Sequence, residues 1–252
     1  MFTFFSKKEF LVDHLEGFID IHNHILPGID DGSKTIEESI ALIKGFGEFG
    51  VTNFICTPHI MHNFYDNTPK TVKRSYKTLK KELKENNLKT VGLSYAAEHM
   101  IDDNFEHILE KGKVLPLNSN HLLIEMSYLQ PSINFDTAIK AMIKLQLFPV
   151  FAHPERYQYL NQDFKKYEGL KQQNIKFQLN MLSIGGYYGK EVQKTTMKLL
   201  DNELYDFIGS DVHNSQHLSA LKNIQLKTAT AVKVKKLINE TQNTFSSQSG
   251  PN

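Results

Sequence analysis

The chain reads as an α/β protein made of seven successive βα units whose strands close into a TIM-like barrel. Two observations carry this expectation. Short runs rich in β-branched and aromatic residues alternate with longer segments of mixed polarity, the rhythm of a parallel sheet covered by helices. In addition, a residue able to bind a metal stands at or just past the C-terminal end of six of the seven runs. Seven βα units fit either a barrel or an open doubly wound sheet. An open sheet concentrates function at one switch crevice, whereas a barrel gathers every strand end around one mouth, so the spread of polar strand ends selects the barrel.

The seven runs are 17–22, 51–57, 91–97, 121–126, 148–152, 176–180 and 205–209. Between the first two lies a helix with a legible start and stop. Thr35 and Glu38 have capping-box spacing, Ile36, Ile40, Ile43 and Phe46 recur at helical intervals, and Gly50 closes the segment. Segments 67–87, 136–147, 163–173 and 189–201 read as further helices with Lys and Glu on their outer faces. The expected organisation is an N-terminal arm over 1–16, one domain over 17–240, and a frayed tail over 241–252, where Ser, Gln, Asn and Thr dominate.

Composition bounds the class. At 252 residues and 40% hydrophobic content the chain can bury one sizeable core. A formal net charge of +1 without long runs of one sign argues against nucleic acid as a partner and against a basic membrane patch. No stretch has the length of a membrane-spanning helix, although Phe2, Phe4 and Phe5 beside Lys7 and Lys8 suit a brush against a membrane surface. The single cysteine, Cys56, excludes an intrachain disulfide and suits a reducing cytoplasm, the expected location.

The strand-end residues are His22 and His24, His59, Glu98, Glu125, His153, and Asp211 with His213. The two-residue spacing of His22 with His24, and of Asp211 with His213, puts both side chains of each pair on one side of an extended backbone. Asp30 and Asp31 follow in the first loop. Burying so many acids and imidazoles together without an ion would be costly. Mixed imidazole and carboxylate donors without thiolate suit Mn, Fe, Zn, Co or Mg, and there are too many for one ion. Adjacent divalent ions would lower the pKa of a shared water and clamp the oxygens of a phosphoryl group. The histidines at 14, 62, 107, 121 and 217 read instead as ordinary core or surface residues with respect to metal, and His99 is ambiguous because it adjoins Glu98.

The segment FIDIHNHILPGIDDGS at 18–33, with TPH at 57–59, AEH at 97–99, IEMS at 124–127, AHPERY at 152–157 and SDVHN at 210–214, resembles the PHP (polymerase and histidinol phosphatase) superfamily. Within it, the DDG loop and HPERY are similar to the bacterial tyrosine phosphatases of capsule and exopolysaccharide loci. The resemblance implies a distorted (β/α)7 barrel, the PHP fold, with three divalent ions at the C-terminal mouth of the strands, manganese first among the candidates. It assigns His22, His24, Glu98 and Asp211 to one ion, Glu98, Glu125 and His153 to a second, and Asp31, His59 and His213 to a third. It implies in-line hydrolysis of phosphotyrosine by a metal-bound hydroxide, with no phosphoenzyme, on the tail of a tyrosine kinase controlling polysaccharide synthesis. Asp31, His213 and Arg156 would take direct catalytic parts, Arg156 gripping phosphate with its planar fork of donors. Some members carry a second arginine after the last Asp-x-His pair. Here Asn-Ser-Gln-His-Leu follows His213, which leaves His217 or a lysine for that task.

Tyr187 and Tyr188, in the loop SIGGYYGK, read either as a rim that stacks on a phenol ring or as an ordinary Gly-rich connection. Arg156 has a structural alternative too, a surface pair with Glu155 or another loop acid. A cysteine phosphatase needs an arginine where His62 stands relative to Cys56, and Cys56 sits inside an apolar strand. The remaining competitors are another PHP phosphoesterase such as a histidinol phosphatase, an amidohydrolase-type metal hydrolase, and a module that binds phosphotyrosine without cleaving it. Amidohydrolases usually carry a bridging lysine on a middle strand, where this chain has Glu98.

Overall fold

The computed structural model describes residues 9–246, so Phe2, Phe4, Phe5, Lys7, Lys8 and residues 247–252 lie outside the described residues. Strand β1 (Glu9–Phe10) pairs antiparallel with a distant partner, and a 3-10 turn (Leu11–His14) buries Leu11 and Leu15 on the way to β2 (Ile19–Asp20). Helix α1 (Ile36–Gly47) begins where Thr35 Oγ1 accepts the Glu38 N–H at 3.3 Å. The Glu38 carboxylate reaches one residue further back than a capping box requires, to the Lys34 N–H at 2.6 Å.

Two of the expected strands, 51–57 and 91–97, are each followed by a further short strand beyond the expected bounds. β3 (Asn53–Cys56) is followed after two residues by β4 (His59–Ile60); α2 (Pro69–Glu85) then leads to β5 (Gly92–Tyr95) and, again after two residues, β6 (Glu98–Met100). α2 is held by Pro69 in its first turn and by Val72, Ser75, Leu79 and Leu83 on the buried stripe. The short α3 (Phe105–Glu110) precedes β7 (His121–Glu125), then α4 (Phe135–Lys144) and β8 (Phe148–Ala152). A second 3-10 turn (Pro154–Arg156) runs into α5 (Gln158–Asn161) and α6 (Lys165–Gln172), followed by β9 (Lys176–Asn180), α7 (Met181–Ile184), α8 (Lys190–Asp201) and β10 (Phe207–Gly209). α9 (Ser215–Lys222), β11 (Gln225–Leu226) and α10 (Thr228–Phe245) complete the described chain, with β11 pairing with β1.

The long strands are all parallel. One sheet has the order β10-β9-β8-β7-β6-β4 and the other β2-β3-β5. Hydrogen bonds cross the two-residue gaps: Ala96 N donates to Cys56 O at 2.8 Å, and Glu98 N to Pro58 O at 3.1 Å. Beyond β10 the chain meets the first strand, Asp211 N donating to His22 O at 2.7 Å and His24 N to Val212 O at 3.0 Å. Gly209 permits that approach, because a Cβ there would lie 2.7 Å from the Cβ of His22.

Strand residues alternate between two apolar layers, as expected of strands covered on both faces. Leu122, Ile124 and Phe151 join the large core beneath the helices, whereas Leu123, Val150 and Ala152 join a smaller cluster on the opposite face with Ile21, Ile55 and Phe207. Phe245 closes that cluster, its ring 5.0 Å from Phe207. The frayed tail expected from 241 therefore begins too early, since Thr241 and Phe245 are buried on α10 in register with Val234 and Ile238. The Gln- and Asn-rich composition concealed a one-sided apolar stripe.

Thr241 Oγ1 accepts the Ile208 N–H at 3.0 Å and donates to Leu237 O at 2.8 Å. Thr241→Val leaves that strand N–H buried without a partner and is expected to lower unfolding free energy by about 1–3 kcal/mol. Chemical denaturation of the two proteins measures the difference, and equal stabilities would show that α10 does not anchor β10.

Candidate metal centre

All nine residues expected to bind metal come together at the C-terminal ends of the strands. Among the described residues, donor atoms within 4.8 Å of one another form four groups: His24, Asp31, His59 and His213; His22, His24 and Asp211; His22, Glu98 and His153; and His59, Glu98 and Glu125. Glu98 Oε2 stands at their centre, 3.2 Å from His22 Nε2, 3.4 Å from His24 Nε2 and 3.2 Å from His59 Nδ1. Its other oxygen faces His153 Nε2 at 3.0 Å. Asp211 Oδ1 lies 3.3 Å from His22 Nε2 and 3.4 Å from His24 Nε2. Asp31 Oδ1 lies 3.4 Å from His59 Nε2 and 3.5 Å from His213 Nε2.

These spacings suit ligands of common cations. Donors about 2.1 Å from one ion stand roughly 3.0–3.4 Å apart at octahedral or tetrahedral angles. Several contacts fail as hydrogen bonds despite short distances. His59 Nδ1 and Glu125 Oε1 approach to 2.8 Å, yet both atoms, together with Glu98 Oε2, are buried without a hydrogen-bond partner. Buried polar atoms are ordinarily satisfied, so unsatisfied donors and acceptors converging from three strands fit a cation. His59 is placed between groups, its Nε2 toward Asp31 and its Nδ1 toward Glu98 and Glu125.

The electrostatics agree. Burial opposes the charge on Glu98 and Asp211, but the surrounding imidazoles outweigh it and hold both carboxyls well below the ordinary range. Burial likewise opposes protonation of His24 and His59, yet Asp30 beside the one and Glu125 with Glu98 beside the other push both well above the ordinary histidine value. The site draws positive charge around its carboxylates, as protons or as divalent ions.

A supporting layer went unread in the sequence. Gln178 Oε1 lies 2.8 Å from His22 Nδ1, and Asp30 Oδ2 lies 2.8 Å from His24 Nδ1, each fixing a ring whose other nitrogen points inward. Asp30 also accepts the Gly32 and His59 N–H groups. The DDG glycine is required because a Cβ at Gly32 would stand 2.0 Å from His24 O. Asn180 Nδ2 donates to Asp211 Oδ2 at 2.7 Å. Gln178 and Asn180, two apart on a buried strand, were the available signal. His153 (φ 36°) and Asp211 (φ 53°) occupy the left-handed region, so two of the converging residues sit on strained backbone.

Arg156 does not pair with Glu155, which is buried and accepts the Asn180 N–H and the Tyr205 hydroxyl. Its guanidinium lies between the rings of Tyr128 and Tyr188, 4.6 and 4.0 Å from their centroids, and donates to Asp211 Oδ2 at 3.0 Å. Tyr128 was not anticipated, and its hydroxyl is 3.4 Å from His153 Nε2. Arg156, Tyr188, His213 and His217 line a cavity of about 1050 Å³ that opens onto the donors, with Asp31, Glu98, Glu125 and Asp211 at its inner end. His217 Nδ1 approaches Asp211 O at 3.3 Å, and Tyr187 packs edge-on against His217, outside the cavity lining. His99 is structural: its ring lies between Leu123 O at 3.0 Å and the Leu115 N–H at 3.1 Å, and burial pushes its pKa down to about 4.

Fold and donor set together define a parallel α/β protein with a candidate metal site at the strand ends. The chain belongs to the CpsB/CapC family of capsular polysaccharide synthesis, whose family model matches residues 18–248. It is 32% identical over 200 residues to CapC of Staphylococcus aureus and 30% identical over 202 residues to the tyrosine-protein phosphatase YwqE of Bacillus subtilis, covering 78% of this chain and 77% of the relative in both cases. It is 28% identical over 204 residues to the tyrosine-protein phosphatase CpsB of Streptococcus agalactiae, covering 78% of this chain and 83% of that one. Among solved structures it resembles a chain from the crystal structures of the metal-dependent tyrosine phosphatases YwqE of Bacillus subtilis and CpsB of Streptococcus pneumoniae, with a TM-score of 0.76, 26% identity and 91% of each of the two matched chains covered.

Glu98 faces three imidazoles through one oxygen and a fourth through the other, whereas His59 meets Asp31 through one nitrogen and Glu98 and Glu125 through the other. Glu98→Ala is therefore expected to lose more bound metal than His59→Ala when both are purified in parallel and measured by elemental analysis. Equal losses would show that Glu98 serves a single ion.

Proposed function

We propose that this chain is a metal-dependent protein-tyrosine phosphatase that hydrolyses phosphotyrosine to tyrosine and inorganic phosphate. The observation that carries it is a buried cluster of converging carboxylate and imidazole donors at the end of a cavity walled by one arginine held between two tyrosines. His22, His24, Glu98 and Asp211 would hold one ion, Glu98, Glu125 and His153 a second, and Asp31, His59 and His213 a third, with manganese the favoured metal. Divalent ions there supply Lewis acidity toward a water and toward the phosphoryl oxygens.

The remaining tasks fall to the chain's own groups. Arg156 spends one N–H on Asp211, and its remaining donors face the cavity, where they grip the phosphoryl oxygens and stabilise charge developing in transfer. Tyr128 and Tyr188 hold the guanidinium plane, so its donors are oriented before substrate arrives. Asp31 and His213 act at the inner end of the cavity, and His217 beside them takes the place of the second arginine of some relatives. Tyr188 lines the cavity, and Tyr187 stands against His217 outside that lining. Cys56 has no part in transfer: it is buried in β3, and burial pushes its thiol well above the ordinary range.

The two sheets are proposed to close as a distorted seven-stranded barrel, supported by the Asn23–Val212 bridge and by Ser210 N donating to Asp20 Oδ1 at 3.0 Å. The barrel domain is placed at 17–240, extended by α10. Among the described residues no helix is long and apolar enough to cross a membrane. We place the protein in the cytoplasm, acting on the phosphorylated tail of a tyrosine kinase that controls capsular or exopolysaccharide synthesis.

Chelation is expected to abolish turnover of a phosphotyrosine peptide, restored by added divalent metal, while thiol alkylation spares it; sensitivity to alkylation at Cys56 would sink the mechanism. Arg156→Lys is expected to lower kcat/KM by about ten- to a thousandfold, the scale of a lost preorganised donor. Metal content should hold, because Asn180 still anchors Asp211. Near-normal turnover in the lysine variant, or metal loss accompanying the fall, would remove Arg156 from phosphate binding.

A further inference from the structure

The cavity is larger than one phosphorylated phenol needs. At about 1050 Å³ it matches the upper end of pockets that enclose whole small ligands, roughly 300–1,000 Å³. Beyond the metal-binding end it continues between two segments, one carrying Met61 and Phe64 after β4, the other carrying Leu129 and Ile133 after β7. Phe64, Leu129 and Ile133 are 79%, 92% and 101% exposed. Three large apolar side chains left in water along one cavity mark a surface that something covers.

Its far wall is acidic. Asp102, Asp103 and Glu106 line the same cavity, and among the described residues none of them pairs with a lysine or arginine. Asp102 accepts the His62 and Asn104 N–H groups, and Glu106 accepts from Asn134 at 2.7 Å. Asp103, its side chain 80% exposed, meets His62 at 2.9 Å. These contacts fix the carboxylates along the groove, with the His62 imidazole the one titratable base among them. Asn134 also donates to Asp102 O at 2.8 Å, so the loop carrying Leu129 and Ile133 is pinned at its end while those two side chains face outward.

We infer that this groove is a docking subsite for the polypeptide flanking the phosphotyrosine, one that accepts a bulky apolar side chain and a lysine or arginine near it. The inference rests on the phosphatase function proposed above. The groove is continuous with the site where the phosphoryl group is processed, and its carboxylates are opposite in charge to the Arg156 guanidinium that stands toward that end. A chain entering with its phosphate toward Arg156 lays its neighbouring residues against Phe64, Leu129 and Ile133, with a basic side chain at Asp103. An acidic flank would meet like charge.

Steady-state kinetics on the metal-loaded full chain test this with three substrates: a phosphotyrosine peptide flanked by Leu and Lys, one flanked by Gly and Glu, and p-nitrophenyl phosphate. The wild type is expected to favour the first peptide over the second by about tenfold or more in kcat/KM, the scale of burying one apolar side chain with a favourable charge. Asp103→Lys and Ile133→Asn, both at exposed positions, should each shrink that ratio severalfold while p-nitrophenyl phosphate turnover stays unchanged. Equal use of the two peptides by the wild type, or an unchanged ratio in both variants, would overturn the docking subsite while leaving the phosphatase function standing. Failure to turn over all three substrates would overturn that function and the subsite with it.

Discussion

Glu98 puts a carboxylate where water does not reach and where three imidazole nitrogens close on a single oxygen. A buried carboxylate is tolerated only with positive charge beside it, and three further acids in the same space sharpen the demand. The strand ends are arranged around that requirement. His22 and His24 arrive from the first strand, His59 from β4, Glu98 itself from β6, Glu125 from β7 and Asp211 from beyond β10, so the sheet order decides which side chains compensate which.

The supporting contacts keep the donors aimed inward. Gln178, Asp30 and Asn180 each bind the outer atom of a residue whose inner atom faces Glu98 or its neighbours, which limits the rotation of His22, His24 and Asp211. Backbone strain falls at the same place, with His153 and Asp211 held at positive φ. Such strain persists because the flanking structure fixes it. The residue before His153 ends a strand buried from Pro149 onward, and Asp211 N is tied to His22 O.

Arg156 links this centre to the cavity. By donating to Asp211 it shares in balancing the carboxylates, and by lying between Tyr128 and Tyr188 it presents a fixed plane of donors outward. His217 has a comparable place on the other side, close to His213 and to the Asp211 carbonyl. A chain with only two arginines in all has placed one of them here.

Much of this was legible in the sequence because it is local. Short runs rich in β-branched and aromatic residues located the strands, with β8 and β9 matching the expected bounds, and the His-x-His and Asp-x-His spacings announced donors on one side of an extended backbone. Residue chemistry then restricted what the strand ends could bind. Tertiary structure alone decided the rest. It added two short strands that begin at His59 and Glu98, turned the two nitrogens of His59 toward different carboxylates, and recruited Gln178 and Asn180 as supports. It sandwiched Arg156 between Tyr128 and Tyr188, and it folded Thr241 to Phe245 into a buried helix face that polar composition had disguised. The reason is sequence separation. A side chain's type and its face along a strand are set within a few residues, whereas contacts such as Ser210 with Asp20, 190 residues apart, depend on the register of every strand between them.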